Sequence, residues 1–157
     1  MPEGTASPEA EAIRIIALHK GREGALLPIL HDLQSTFGFI TPATVRLVAE
    51  ALNLTRAEVH GAVSFYHDFR EQPAGRHVVK LCRAEACQSM DGEDVARHVL
   101  ERFGVDWGET TPDGRVTVEA TYCLGLCACA PSALIDGQPM ARLTPQSVDE
   151  IAREVER

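Results

Sequence analysis

Four of the five cysteines fall into two clusters, Cys82-x4-Cys87 and, after 35 intervening residues, Cys123-x3-Cys127. This is the pattern of a chain built to hold a metal centre, and the rest of the sequence is read around it. Four thiolates at two separated points suit tetrahedral zinc or a 2Fe-2S cluster, because both take soft, deprotonated sulfur. Gaps of three and four residues are wider than the tight zinc knuckle and lean toward iron. The accepted zinc range reaches four intervening residues, so spacing leaves both metals open.

Disulfides fit the whole chain poorly. The stretch Met1 to Glu9 has no basic start, no apolar core and no small-residue cleavage site, so a secretory signal is not expected. A cytoplasmic location, where stable disulfides are rare, is the expectation. An odd total of five cysteines would also leave one thiol over.

A chain of 157 residues, 45% hydrophobic and 24% charged, can bury a core without a metal to staple it, so a bound cofactor is expected to be functional. No run approaches the roughly eighteen apolar residues of a membrane span, and no direct membrane insertion is expected. A formal net charge of -8 disfavours nucleic acid and anionic membranes as partners.

From residue 9 to 72 the chain reads as a helical bundle. A helix is expected from about Ala10 to His19. Leu26, Ile29, Leu30, Leu33 and Phe37 repeat at helical spacing up to Gly38. Thr41-Pro42 is an N-cap with proline at the first helical position, followed by the stripe Val45, Val48, Leu52 and a stop at Asn53. Thr55 and Glu58 form a capping box for a helix whose inner face is expected to carry Val59, Ala62, Val63 and Tyr66. All these stripes are read as core packing, and the first eight residues as mobile.

The polar stretch Arg70 to Gly75 is read as a boundary, after which residues 76–157 alternate strand and helix. Val78, Val79 and Leu81 form a strand running directly into Cys82. A helix from about Asp91 to Arg102 carries Val95 and Val99, with Phe103 continuing that face. Thr111 to Gly114 turns the chain into a second strand around Val116 to Val118, which feeds the second cysteine loop. Ala133 to Ile135 and Pro139 to Ala141 flank Asp136-Gly137 as a hairpin, and Thr144-Pro145 opens a last helix with Val148, Ile151, Ala152 and Val155 inward. The fold class is therefore α+β: a helical bundle followed by a small α/β sandwich.

Cysteines on loops at strand ends are held by the sheet yet stay near the surface, where an electron enters and leaves. Four cysteinyl ligands would fill every outer position of a 2Fe-2S cluster, leaving no open site for catalysis, so no catalytic residue is assigned. Gly125 is expected at positive φ, turning amides toward sulfur. Cys129 is read as a buried small side chain, not a ligand. The six histidines lie scattered without a metal-type pair, and no phosphate loop, dinucleotide fingerprint, C-x-x-C dithiol or nucleophile elbow is present. A zinc-stabilised interaction module and a freestanding ferredoxin stand as rival readings.

Three stretches, Gly61-Ala62-Val63-Ser64-Phe65-Tyr66, Gly108-Glu109-Thr110-Thr111-Pro112-Asp113-Gly114 and Cys123-Leu124-Gly125-Leu126-Cys127-Ala128-Cys129-Ala130-Pro131, resemble the small 2Fe-2S subunit of respiratory NADH dehydrogenase (complex I) and its relatives. The resemblance runs from about Ala10 to the C-terminus. It implies a thioredoxin-like 2Fe-2S ferredoxin domain over 76–157 after the bundle, with Cys82, Cys87, Cys123 and Cys127 as ligands of one cluster. It further implies docking on a larger subunit that carries FMN and binds NAD. Relatives serve NAD-reducing hydrogenases and molybdenum-dependent formate dehydrogenases. The stretch Cys82-Arg83-Ala84-Glu85-Ala86-Cys87-Gln88-Ser89-Met90 looks most like the gamma subunit of NAD-dependent formate dehydrogenase. That likeness implies a molybdenum-dependent, formate-oxidising subunit in the same complex.

Overall fold

A computed structural model describes residues 7–155 and divides into two compact units, meeting at Pro73 and Ala74. Of the eight residues expected to be mobile, 1–6 lie outside the described residues. The other two begin a helix: Ser7 caps it, accepting a hydrogen bond from the Ala10 amide at 3.2 Å, and Pro8 occupies its first turn. Helix α1 (Pro8–His19) therefore starts two residues before the expected point, because a serine cap and an early proline together define an N-terminus.

The first unit continues with α2 (Leu26–Phe37), α3 (Pro42–Leu52) and α4 (Arg56–Phe65). Gly38 and Asn53 end α2 and α3 in left-handed conformation, and Thr41 and the Thr55/Glu58 capping box open α3 and α4. Ile15, Ile16, Ile29, Leu30, Leu33, Val48, Val59 and Val63 meet in one core. The expectation for Tyr66 fails. It is the C-cap of α4 with extended backbone, and it and Phe65 are exposed while Phe69 closes the core. The helical period ended one residue too early to turn Tyr66 inward.

The second unit is a four-stranded sheet with two helices packed on it. β1 (His77–Cys82) pairs in parallel with β2 (Val116–Thr121) and antiparallel with β3 (Ser132–Ile135), and β3 pairs with β4 (Gln138–Ala141), giving the order β2-β1-β3-β4. Parallel neighbours need a crossover. It is supplied here by a short helix α5 (Glu85–Gln88), which the sequence reading did not include, and by α6 (Gly92–Phe103). The last helix is α7 (Pro145–Val155). Val95, Val99 and Phe103 of α6 and Val148, Ile151 and Val155 of α7 share a core with Val79, Leu81, Val116 and Val118 of the sheet. Among the described residues no helix is long and apolar enough to cross a membrane.

Candidate metal centre

Register decides where the cysteines go. Cys82, the last residue of β1, lies opposite Thr121, the last of β2, so the chain leaves both strands at the same sheet end. β3 runs the other way, and its pairing of Ala133 with Leu81 places its first residue, Ser132, at that same end. Two connections thus converge: the one after β1, which carries Cys87 in a short helix, and the one between β2 and β3, which holds Cys123 and the turn Cys127–Cys129.

The two pairs differ in setting. Cys82 and Cys87 are 6% and 2% exposed and form a small cluster with Ala130, whereas Cys123 and Cys127 are exposed, their sulfurs 3.7 Å apart. Burial pushes the Cys82 thiol up, yet its acidity is on balance increased. The amides of Ala84, Leu124 and Cys123 and the Cys87 side chain all stabilise its thiolate. Cys127 moves the opposite way. Its hydrogen bond with Cys123 and the charge at Cys123 hold its proton on, with smaller contributions from burial and from Cys87 and Cys82. The four sulfurs therefore feel one another. A bound metal takes cysteine as thiolate, so a cation at this sheet end would offset the neighbouring charge that holds the proton on Cys127.

Among the described residues, no three side chains of His, Cys, Asp or Glu are arranged to hold a single ion. A lone zinc needs its ligands around one point, whereas a 2Fe-2S cluster takes two cysteines at each iron. The structure brings the Cys123 and Cys127 sulfurs to 3.7 Å of each other. Five of the six histidines make other contacts. His19, His60, His77 and His98 pair with Asp32, Glu71, Asp136 and Asp149, and His31 packs on Phe69.

Local backbone shapes each loop. Gly125 adopts φ 77°, as expected, and Cys123 itself stands at φ 71°, a left-handed conformation that costs a non-glycine residue about 1–2 kcal/mol. The first loop is tied by Arg83, whose guanidinium lies 4.9 Å from the Trp107 ring centre and 3.4 Å from Glu93. Cys129, expected to be buried, is only partly so, because the short 3-10 turn Cys127–Cys129 keeps it near the surface.

Two residues escaped the sequence reading. A side chain at Gly92 would put its Cβ 2.7 Å from the Cys87 carbonyl carbon, so only glycine lets α6 start against the first loop. Ser132 is 2% exposed with its Oγ 3.6 Å from Cys87 Sγ. A glycine opening a helix is a weak clue to the first, and nothing local marks the second.

The sequence profile of the thioredoxin-like 2Fe-2S ferredoxin family matches residues 12–156. A subunit of the NADH-quinone oxidoreductase of Mycobacterium tuberculosis (strain H37Rv) is 36% identical over 150 residues, covering 96% of this chain. This chain spans 60% of that relative's length. The NADP-reducing hydrogenase subunit HndA of Solidesulfovibrio fructosivorans is 31% identical over 157 residues, 98% of this chain and 92% of that protein. The crystal structure of an NAD+-reducing NiFe-hydrogenase in the air-oxidized state superposes with a TM-score of 0.71 at 28% identity, over 83% of this chain and 22% of that one. With its thiols paired at one sheet end and the family pattern running from its first helix to its last, the chain belongs to the thioredoxin-like 2Fe-2S ferredoxins, as a homologue of subunits of NADH-quinone oxidoreductases and of hydrogenases.

Proposed function

We propose that this chain is a non-catalytic electron-transfer subunit in which Cys82, Cys87, Cys123 and Cys127 hold one 2Fe-2S cluster. The observation that carries the reading is the convergence of the two cysteine-bearing connections at one sheet end, with one thiol pair buried and the other open to the surface. When bound, the cluster supplies a store for one electron. The buried pair anchors it, and the exposed pair leaves a side that a second redox group can approach.

The immediate electron partner is the flavin of a larger, NAD-binding subunit. The assembly is an NAD-dependent formate dehydrogenase of the cytoplasm, with a molybdenum-dependent subunit oxidising formate. Support for the formate assignment is the stretch from Cys82 to Met90. An NAD- or NADP-reducing hydrogenase is the second reading, favoured by the near full-length likeness to HndA.

Low-temperature EPR before and after dithionite reduction, with iron and sulfide assayed on the same sample, tests the site. The expected result is a signal appearing only on reduction, with about two irons per chain. A colourless, zinc-containing protein would instead favour an interaction module. Affinity purification from the native host then tests the assembly. A co-purifying flavoprotein with formate-dependent NAD reduction is expected, hydrogen-dependent reduction would shift the reading to a hydrogenase, and no flavoprotein partner would overturn the subunit reading.

A further inference from the structure

Ser132 opens β3 at the sheet end where the cysteine loops meet, and its side chain is almost wholly out of water at 2% exposure. A hydroxyl left there without a partner would be costly. Its partner is the Cys87 sulfur at 3.6 Å, a long but ordinary distance for a hydrogen bond involving sulfur. Between two neutral groups either atom can donate. Once Cys87 serves as a ligand its sulfur is a thiolate without a proton, and the donor can only be Ser132.

We infer that Ser132 is a positioning residue whose hydroxyl donates to the Cys87 thiolate and raises the reduction potential of the bound cluster. This rests on the ligand role proposed for Cys87. An added electron increases the negative charge shared by the cysteinyl sulfurs, so a donor aimed at one of them stabilises the reduced form more than the oxidised form. The proton stays on Ser132 throughout, and the couple is one electron with no proton transferred. Burial magnifies the effect, because at 2% exposure neither Cys87 nor Ser132 has water competing for the bond. The Ser132 hydroxyl brings a donor to this buried sulfur from β3, a different strand from the one that ends in Cys82.

The test is an EPR-monitored potentiometric titration of the reconstituted full chain, comparing the native protein with Ser132→Ala. Loss of the donor is expected to weaken the reduced form about tenfold, which for a one-electron couple lowers the midpoint by about 59 mV. Deuterium ENDOR after exchange into D2O should show one exchangeable coupling fewer in the variant. An unchanged midpoint with a fully loaded cluster would overturn the inference, since the side chain would then fill space without stabilising the reduced cluster. Should Ser132→Ala fail to load, the equal-shape pair Ser132→Thr and Ser132→Val decides. A higher midpoint or better loading with threonine supports the hydroxyl's role, and identical behaviour overturns it. Cys87→Ala is run in parallel: normal loading there would sink the ligand reading on its own, independently of what the serine variants do.

Discussion

The two cysteine loops are held in shape by different physical means. The first is fixed by packing: Cys82 and Cys87 are buried, Cys87 sits within α5, and α6 starts so close that Gly92 admits no side chain. The second is fixed by its own backbone, with Cys123 and Gly125 both at positive φ and a 3-10 turn over Cys127–Cys129, while its thiols stay exposed. A loop held by packing resists motion because neighbouring atoms have nowhere to go. A loop held by backbone conformation keeps its shape while its outer face stays clear for another molecule. The site thus combines a rigid floor with an accessible wall.

Substitutions at the cysteines are the strongest way to break this contrast. Cys82→Ala and Cys127→Ala should each abolish stable cluster loading, read by visible absorbance and iron content. In the metal-free protein the two should part. Cys82→Ala should cost about 1–3 kcal/mol in denaturant unfolding because it empties a packed position, and Cys127→Ala should stay within about 0.5 kcal/mol because its side chain is at the surface. Equal costs would mean that the two loops are not held differently.

The glycines give the next largest effect. Gly92→Ala forces its Cβ into the Cys87 backbone. It should cost about 1–3 kcal/mol, lower the melting temperature by about 2–4 °C per kcal/mol, and impair loading. Gly125→Ala meets open space and bears only the cost of positive φ, about 1–2 kcal/mol, with loading retained. Similar loading defects in both would remove the distinction between a packed loop and a conformationally fixed one. Cys129→Ser should leave loading and spectrum nearly native, whereas loss of the cluster there would show that the ligand set is wrongly assigned.

The smallest effect lies away from the centre, in the turn before β2. The Asp113 carboxyl is held down to about 2 from its ordinary 3.8, first by the Thr111 hydroxyl, then by the Arg115 amide and guanidinium. A depressed carboxyl contributes stability above its unfolded pKa and loses it as pH falls through the folded one. The Asp113 contribution should therefore be complete above about pH 4 and fade toward about pH 2. An NMR titration of the side-chain carboxyl with a midpoint near its ordinary 3.8 would contradict this.

How much could be read in advance follows the range of the forces involved. The bundle helices were legible because caps, left-handed stops and apolar spacing are written within a few residues: Thr41, Thr55/Glu58, Gly38 and Asn53 each act on their own turn. Tyr66 departs from the pattern where the helical period runs out, and Ser7-Pro8 opens α1 although a short polar start has the composition of a tail. In the second unit the strands leading to Cys82 and Cys123 were visible from their apolar runs, whereas the helix α5 is a single turn, too short to show a period.

The sequence by itself determined the chemistry: four thiols, their spacing, the absence of a competing catalytic motif, and the likeness to a family of 2Fe-2S ferredoxins. Only the tertiary structure decided how those thiols meet. The register that sets Cys82 beside Thr121 and Leu81 beside Ala133, the burial of one pair and not the other, and the serine that reaches Cys87 all join residues far apart in the chain. Strand pairing is a choice among many registers, selected by how the whole core packs. A ligand is chosen by the type of its side chain, but a neighbour such as Ser132 is chosen by where the sheet puts it.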